Sequence, residues 1–139
     1  MPPSTAIVLV DPYNEFLHPR GKFYPRVQES LLATNTVQHI QELVAVARKS
    51  HIPIYYALHQ QYHDGHYDGW KHMNPSLAGI RKGRLFEKGG FGARIYEGLE
   101  PRLENGDVVV SKHWNSRLVV LRTLLSGGEM SGGNVQRMN

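Results

Sequence analysis

The feature that most constrains this chain is a pair of uninterrupted apolar runs separated by an amphipathic stretch. "AIVLVD" (residues 6–11) and "IPIYYALH" (residues 52–59) are rich in β-branched and aromatic residues, which is typical of strands buried on both faces of a parallel sheet. Between them, apolar residues recur mostly at spacings of three and four, which predicts an amphipathic helix over residues 27–49. Strand, helix and strand in this order predict a right-handed βαβ unit.

The remaining segments predict one more strand and several loops. "PYNEFLHPRGKFYP" (residues 12–25) has three prolines and a glycine, so it predicts a loop. "QQYHDGHYDGWKHMNPS" (residues 60–76) is too irregular for a regular element, and "FGARIYEGL" (residues 91–99) predicts a short helical turn. "DVVVSKHW" (residues 107–114) contains the third predicted strand.

Composition excludes several classes of protein. No apolar run approaches the ~20 residues of a membrane-spanning helix, and no basic segment precedes the first apolar run as in a secretory signal. We therefore expect a cytoplasmic protein with no membrane partner. The net charge is +4, but the basic residues are scattered rather than clustered, so we expect no nucleic-acid partner. The 139 residues include no cysteine, which excludes disulfides and a cysteine nucleophile within them.

Two charged residues close predicted strands. Asp11 ends the first strand, and Lys112 lies at the end of the third. The carboxyl ends of parallel strands meet at one edge of a sheet, where open α/β proteins bind their ligands. A carboxylate and an ammonium group at this edge would suit proton transfer. The alternative is a buried ion pair with a purely structural role.

Two stretches resemble the isochorismatase-like cysteine hydrolases. "IVLVDPYNEFL" has a strand that ends in Asp and continues through Asn and Phe-Leu, here Asp11, Asn14, Phe16 and Leu17. "FEKGGFGARIYEGLEPRLENGDVVVSKHWNS" (residues 86–116) resembles the Gly-rich approach of the family to a strand that ends in Lys. The resemblance covers about residues 6–116. It implies a three-layer, Rossmann-like α/β isochorismatase fold with a parallel sheet, truncated at its C-terminus.

The resemblance also implies a chemistry. In this family a cysteine thiolate attacks a carbonyl or related electrophile, an aspartate takes the thiol's proton, and a lysine holds the ion pair together. Asp11 and Lys112 match the aspartate and the lysine, and Phe16 and Trp70 are the predicted substrate-binding residues. Substrates across the family are small amides, carbamoyl compounds and the vinyl ether of isochorismate, and we expect no cofactor.

The family's cysteine has no counterpart here. Agreement stops after Ser116, so residues 1–116 are interpreted as an incomplete hydrolase domain and residues 117–139 as a divergent, poorly ordered tail. The abrupt change resembles a changed reading frame or an alternative transcript more than slow divergence. Neither Ser111 nor Ser116 has an identifiable oxyanion site behind it, so serine does not replace the thiol.

Two functions follow for such a chain. The first is a hydrolase of a small amide or vinyl ether whose present chain is inactive. The alternative is a non-catalytic pseudoenzyme that binds a small-molecule ligand or associates with full-length relatives. Either function is compatible with a homo-oligomer of this chain.

A cluster of histidines and aspartates begins at the end of the second predicted strand and comprises His59, His63, Asp64, His66, Asp68 and His72. Asp64-Gly65-His66 has the Asp-x-His spacing with which the metal-binding nicotinamidase branch begins its zinc site, and His72 adds an imidazole. Zinc requires three or four ligands on a rigid frame, whereas these weak candidates lie in an irregular loop. We therefore expect no metal. "KGGFG" (residues 88–92) lacks the Gly-Lys-Ser/Thr of a phosphate-binding loop.

Overall fold

The computed structural model describes residues 5–112 and 135–136, which form four strands and four α-helices. The strands are β1 (Ile7–Val10), β2 (Ile54–His59), β3 (Val108–Lys112) and β4 (Val135–Gln136). The helices are α1 (Asn14–Leu17), α2 (Tyr24–Ala33), α3 (Thr36–Lys49) and α4 (Pro75–Gly83), and a 3-10 turn (Leu103–Asn105) precedes β3. Within these ranges no helix has the length and apolar character needed to cross a membrane.

The strands form one sheet in the order β1-β2-β3-β4. β1, β2 and β3 run parallel, with Val10 beside Ala57 and His59 beside Lys112. β4 runs antiparallel to β3. Three parallel strands connected through helices confirm the predicted α/β class with a parallel sheet.

The predicted tail lies mostly outside the described residues. Val135–Gln136 pair with Val110 and Val109 of β3. Residues 117–134 and 137–139, the predicted boundary after residue 116, and the last two residues of the predicted third strand (113–114) are not among the residues described.

The prediction of one helix over residues 27–49 is wrong, because two helices occupy this segment. α2 begins at Tyr24 with Pro25 in its first turn, where the fixed φ and missing N–H of proline are tolerated. The chain then turns at Asn35, which has a left-handed φ of 47°, a conformation that asparagine accepts more readily than most residues. The apolar spacing continues through this break, so periodicity alone does not reveal it.

Two further predictions are wrong. Part of the predicted loop 12–25 is helical, since α1 lies within it. Residues 91–99 form turns and an isolated bridge between Tyr13 and Ile95 instead of a helical turn.

α4 is an element that the sequence analysis missed. Its N-cap is Asn74, whose side-chain oxygen accepts a hydrogen bond from the Leu77 N–H at 2.9 Å, and Pro75 follows in the first turn. It ends at Arg84, which has a left-handed φ of 46°. An N-cap asparagine followed by proline is a recognised start signal, and it was overlooked among the loop residues around it.

The described residues divide into two compact units. The sheet unit comprises residues 5–11, 39–60, 99–112 and 135–136, and the loop unit comprises residues 12–38 and 61–98. Each unit contains a buried carboxylate that accepts hydrogen bonds from backbone N–H groups.

Asp107 is the buried carboxylate of the sheet unit, with 8% of its surface exposed. One oxygen accepts hydrogen bonds from the Ile54 N–H at 3.0 Å and the Asn105 side chain at 2.8 Å. The other accepts from the Arg102 N–H at 2.9 Å. These bonds fix the starts of β2 and β3. In the same unit, the hydroxyl of fully buried Tyr56 donates to the Leu99 carbonyl at 2.7 Å.

Glu15 is the buried carboxylate of the loop unit, with 2% of its surface exposed. Oε1 accepts a hydrogen bond from the Lys22 N–H at 2.6 Å, and Oε2 accepts from the Phe86 N–H at 2.9 Å. The Glu15 N–H donates to the Gly92 carbonyl at 3.0 Å. A Cβ at residue 92 would collide with the Glu15 carboxylate, so only glycine permits this approach.

Candidate functional site

Asp11 lies directly after β1 in an unusual backbone conformation. Its φ is 49°, in the left-handed region, which costs most residues other than glycine roughly 1–2 kcal/mol and costs aspartate less, because its short side chain can hydrogen-bond locally. Its N–H donates to the Ala57 carbonyl at 3.2 Å, and its Oδ1 accepts a hydrogen bond from the His59 N–H at 2.7 Å. These two bonds to β2 hold the half-buried carboxylate at the carboxyl end of the sheet.

Lys112 is the last residue of β3, and its neighbour across the ladder is His59. His59 is therefore bonded through its N–H to the Asp11 carboxylate on one side and paired with Lys112 on the other. The ends of three adjacent strands thus bring Asp11 and Lys112 to the same edge. The structure describes the position of Lys112 in the strand, and its catalytic role stays a prediction.

His59 is a residue at this edge that the sequence analysis considered only as part of the histidine cluster. Its Nδ1 lies 2.9 Å from the Gln60 carbonyl. A carbonyl oxygen only accepts, so Nδ1 carries the proton of this bond. The signal was present in the sequence, because "IPIYYALH" ends in this histidine as the first strand ends in Asp11.

The two predicted substrate-binding residues both lie in the loop unit. Phe16 packs edge-on against Phe23, with ring centroids 5.2 Å apart, and at a tilt against Phe86 at 5.3 Å. Trp70 packs edge-on against Tyr67 at 5.2 Å. Both side chains are half-buried, so each combines a packed ring with some accessible surface.

Two of the three weak metal candidates, Asp64 and His66, have other partners. Both oxygens of Asp64 lie within hydrogen-bonding distance of the Arg84 guanidinium, at 2.9 and 3.3 Å. Nδ1 of His66 lies 3.1 Å from the Gln61 carbonyl, and His72 is exposed. Among residues 5–112 and 135–136, no three or more His, Asp or Glu side chains form a group that could hold a metal ion. Asp64 therefore forms an ion pair with Arg84, and His66 stacks on the ring of Tyr67.

Electrostatics in the loop unit centre on Arg84. Its guanidinium bonds to Glu87 at 2.7 Å as well as to Asp64. The hydrogen bond from Arg84 lowers the pKa of Glu87 below its ordinary value. All these groups are exposed or half-buried, so the ion pairs orient surface turns rather than create a reactive centre.

Comparisons with known proteins identify the family and the fold of the chain. The family model for the Isochorismatase domain matches residues 5–119. The chain is similar to the crystal structure of N-carbamoylsarcosine amidase from Thermoplasma acidophilum, with 26% sequence identity and a TM-score of 0.54. That match covers 88% of this chain and 62% of the amidase chain, so this chain spans less than two thirds of the amidase's length.

No curated protein matches the chain significantly. The family match includes both stretches that carry the sequence resemblance and three of the four strands, and it therefore confirms the predicted family and fold. This chain belongs to the isochorismatase family.

Proposed function

We propose that this chain is a ligand-binding member of the isochorismatase family that performs no thiol-dependent hydrolysis. In this proposal it binds a small amide or vinyl-ether compound at the sheet edge formed by Asp11, His59 and Lys112. The observation that carries the proposal is the strained backbone of Asp11, whose carboxylate is bonded to the His59 N–H at 2.7 Å.

The conformation of Asp11 favours a role for its carboxylate. Glycine adopts a positive φ without steric cost, so an aspartate at this position adds strain to the fold. Strained residues concentrate at ligand and active sites, where the surrounding structure holds them in place. Here the two hydrogen bonds to β2 hold Asp11, and they direct a carboxylate toward the end of the sheet where α/β proteins bind ligands.

The composition supports the absence of thiol chemistry. The reaction implied by the resemblance requires a thiolate nucleophile, and residues 1–139 contain no cysteine. The remaining charged pair, Asp11 and Lys112, supplies a hydrogen-bond acceptor and a cation rather than a nucleophile. Such a pair suits recognition of an amide, whose N–H donates and whose carbonyl accepts.

The comparison suggests the first probe. The amidase of known structure acts on N-carbamoylsarcosine, according to its name. At 26% identity to that amidase, we choose the same compound as the first probe. Nicotinamide provides a second small amide with a planar ring.

The test combines calorimetric binding with product detection for both probes. We expect saturable binding by the wild-type chain and no product above the enzyme-free rate. Lys112→Ala should weaken binding, whereas Asp68→Asn, which alters an exposed carboxylate paired with Arg81 at 3.5 Å, should leave it unchanged. Product formation that resists thiol reagents and disappears in Lys112→Ala would show an enzyme without a thiol and refute the proposal.

A second candidate function is association with another chain of the family. Among the described residues, β1 pairs with β2 alone, and its "IVLV" segment has no charged residue. Val8 in this strand is 40% exposed. Uncharged edge strands tend to pair with other strands. A sharp monomer in sedimentation velocity at high concentration, with no change on adding a longer family member, would exclude association.

A further inference from the structure

The outer side of β1, within the sheet unit, carries backbone groups that the parallel ladder does not use. The N–H groups of Ile7 and Asp11 donate to carbonyls on the β2 side of the strand, at 3.1 and 3.2 Å. Successive residues of a strand direct their backbone groups to opposite sides, so the N–H and C=O groups of Val8 and Val10 face away from β2. We name these groups of Val8 and Val10 the β1 edge.

The β1 edge has no partner within residues 5–112 and 135–136. In this part of the chain β1 pairs with β2 alone, and neither Val8 nor Val10 takes part in a hydrogen bond outside that ladder. Val8 is 40% exposed and Val10 is half-buried. Proteins protect the edges of their sheets with charged residues, prolines or bulges, and β1 has a regular register and only the apolar residues IVLV. The β1 edge is therefore able to accept another strand.

The β1 strand of a second copy is complementary to this edge. In an antiparallel pair, opposite residues alternate between pairs that exchange both backbone hydrogen bonds and pairs that exchange none. When Leu9 of one protomer lies opposite Leu9 of its partner, Val8 lies opposite Val10, and the exchange falls on these residues. Every N–H and C=O group of both edges then has a partner.

The charge at the end of β1 favours the same orientation. In the antiparallel register centred on Leu9, Asp11 of one protomer lies opposite Ile7 of its partner. A parallel pairing with equal residues side by side would instead bring the two Asp11 carboxylates together, and like charges directly opposite each other destabilise a sheet. The antiparallel arrangement keeps the two carboxylates at opposite ends of the contact.

We propose that two copies of this chain pair through their β1 edges, antiparallel and about a two-fold axis at Leu9, so that one sheet continues through both protomers. Such a contact uses the same surface on both protomers and closes at the dimer. This inference rests on the second candidate function, association, and it names the occupant, the strand and the register.

Sedimentation velocity over a concentration series tests the contact. We expect the wild type to form a dimer as its concentration rises. Val8→Lys should raise the dimer Kd at least about tenfold, because each protomer brings a charge into the paired edges. Val46→Lys is the matched control, since Val46 lies on α3 of the same unit and is 60% exposed. It should leave the Kd unchanged.

Cysteine cross-linking tests the register, because the chain has no cysteine of its own. An equimolar mixture of Val8→Cys and Val10→Cys chains should form a disulfide-linked dimer on oxidation. These two positions lie opposite each other with about 5.5 Å between their Cα atoms, a distance that a disulfide spans. Either variant alone should stay largely unlinked, because its two cysteines would lie about 8 Å apart, beyond that reach.

The outcomes separate the inference from association in general. If the wild type forms a dimer that Val8→Lys does not weaken, or if Val8→Cys alone cross-links as readily as the mixture, the inference is wrong and association stands. A wild type that stays monomeric throughout the series also overturns the inference. Association then stands only if a longer member of the family changes the sedimentation of this chain. If Val8→Lys unfolds the monomer, the cysteine mixture decides, because it adds no charge to the edge.

Discussion

The sheet unit and the loop unit each contain one buried carboxylate, but the two carboxylates stabilise different kinds of structure. Asp107 accepts hydrogen bonds at the starts of β2 and β3, which the parallel ladder also holds together. Glu15 joins the backbone at Lys22 and Phe86, which are not part of any strand or helix. Asp107 thus reinforces strands that the ladder already joins, whereas Glu15 connects segments that no ladder joins. Removing the Glu15 carboxylate therefore leaves fewer other bonds to hold its segments together.

The largest effect is expected for Glu15→Gln. The amide can accept at one oxygen, but its NH₂ group would face a backbone N–H donor and leave it unpaired. We expect a loss of roughly 3 kcal/mol in the free energy of unfolding, because a buried charged acceptor and its partner are both affected. Urea denaturation measures it. A loss below about 1 kcal/mol would show that the hydrogen bonds of Glu15 are not a main source of stability for the loop unit.

Asp107→Asn is the matched substitution in the sheet unit, and it should cost less. The new amide also leaves one backbone N–H, that of Ile54 or of Arg102, without an acceptor, but the ladder still joins β2 to β3. We expect a loss of roughly 1–2 kcal/mol by the same urea experiment. A loss larger than that of Glu15→Gln would reverse the comparison between the two units.

Alkaline pH should destabilise the sheet unit through Tyr56. Burial, followed by the negative charge of Asp107, raises the pKa of Tyr56 to about 12. Because the pKa is higher in the folded chain than its ordinary value of about 10, the stabilising contribution is complete below pH ~10 and is lost as the pH rises toward ~12. Tyr56→Phe should therefore show a shallower fall of Tm between pH 9 and 11, and parallel curves would contradict this.

The smallest effect is expected at the surface of the loop unit. The hydrogen bond from Arg84 lowers the pKa of Glu87, so the contribution of this pair is present above the ordinary glutamate pKa of about 4.3 and is lost as the pH falls below it. Glu87→Gln should lower Tm slightly at pH 7 and not at all at pH 3. Because the pair is solvent-exposed, added salt should reduce the difference at pH 7.

The same contrast explains how much the sequence could predict. The strands of the sheet unit follow from continuous apolar runs, whose type and length are visible in "AIVLVD" and "DVVVSK". The burial of Glu15 could not be predicted, because its partner Phe86 lies 71 residues away and no local pattern joins them. The break at Asn35 was missed because the apolar spacing continues across it.

Some features of the candidate site could likewise be predicted from the sequence, and others could not. Asp11 and Lys112 were predicted because strand ends and the family resemblance both indicate them, and the strand register places them on either side of His59. The left-handed backbone of Asp11 and the unpaired hydroxyl of Tyr67 were not predictable. The first depends on hydrogen bonds from Asp11 to β2, a distant segment, and the second on the packing of side chains around Tyr67, which spacing in the sequence does not encode.

The central claim is that the carboxylate of Asp11, a residue with a strained backbone, serves ligand binding rather than stability. Asp11→Asn tests this claim most directly. Asparagine tolerates the left-handed conformation and keeps an oxygen for the His59 N–H, so only the negative charge is lost. The measurement is the Kd for N-carbamoylsarcosine together with Tm, for the variant and the wild type. We predict affinity at least about tenfold weaker, as expected when a charged hydrogen bond is lost, with Tm nearly unchanged. Unchanged affinity with a lower Tm would show that Asp11 is a structural residue and contradict the claim.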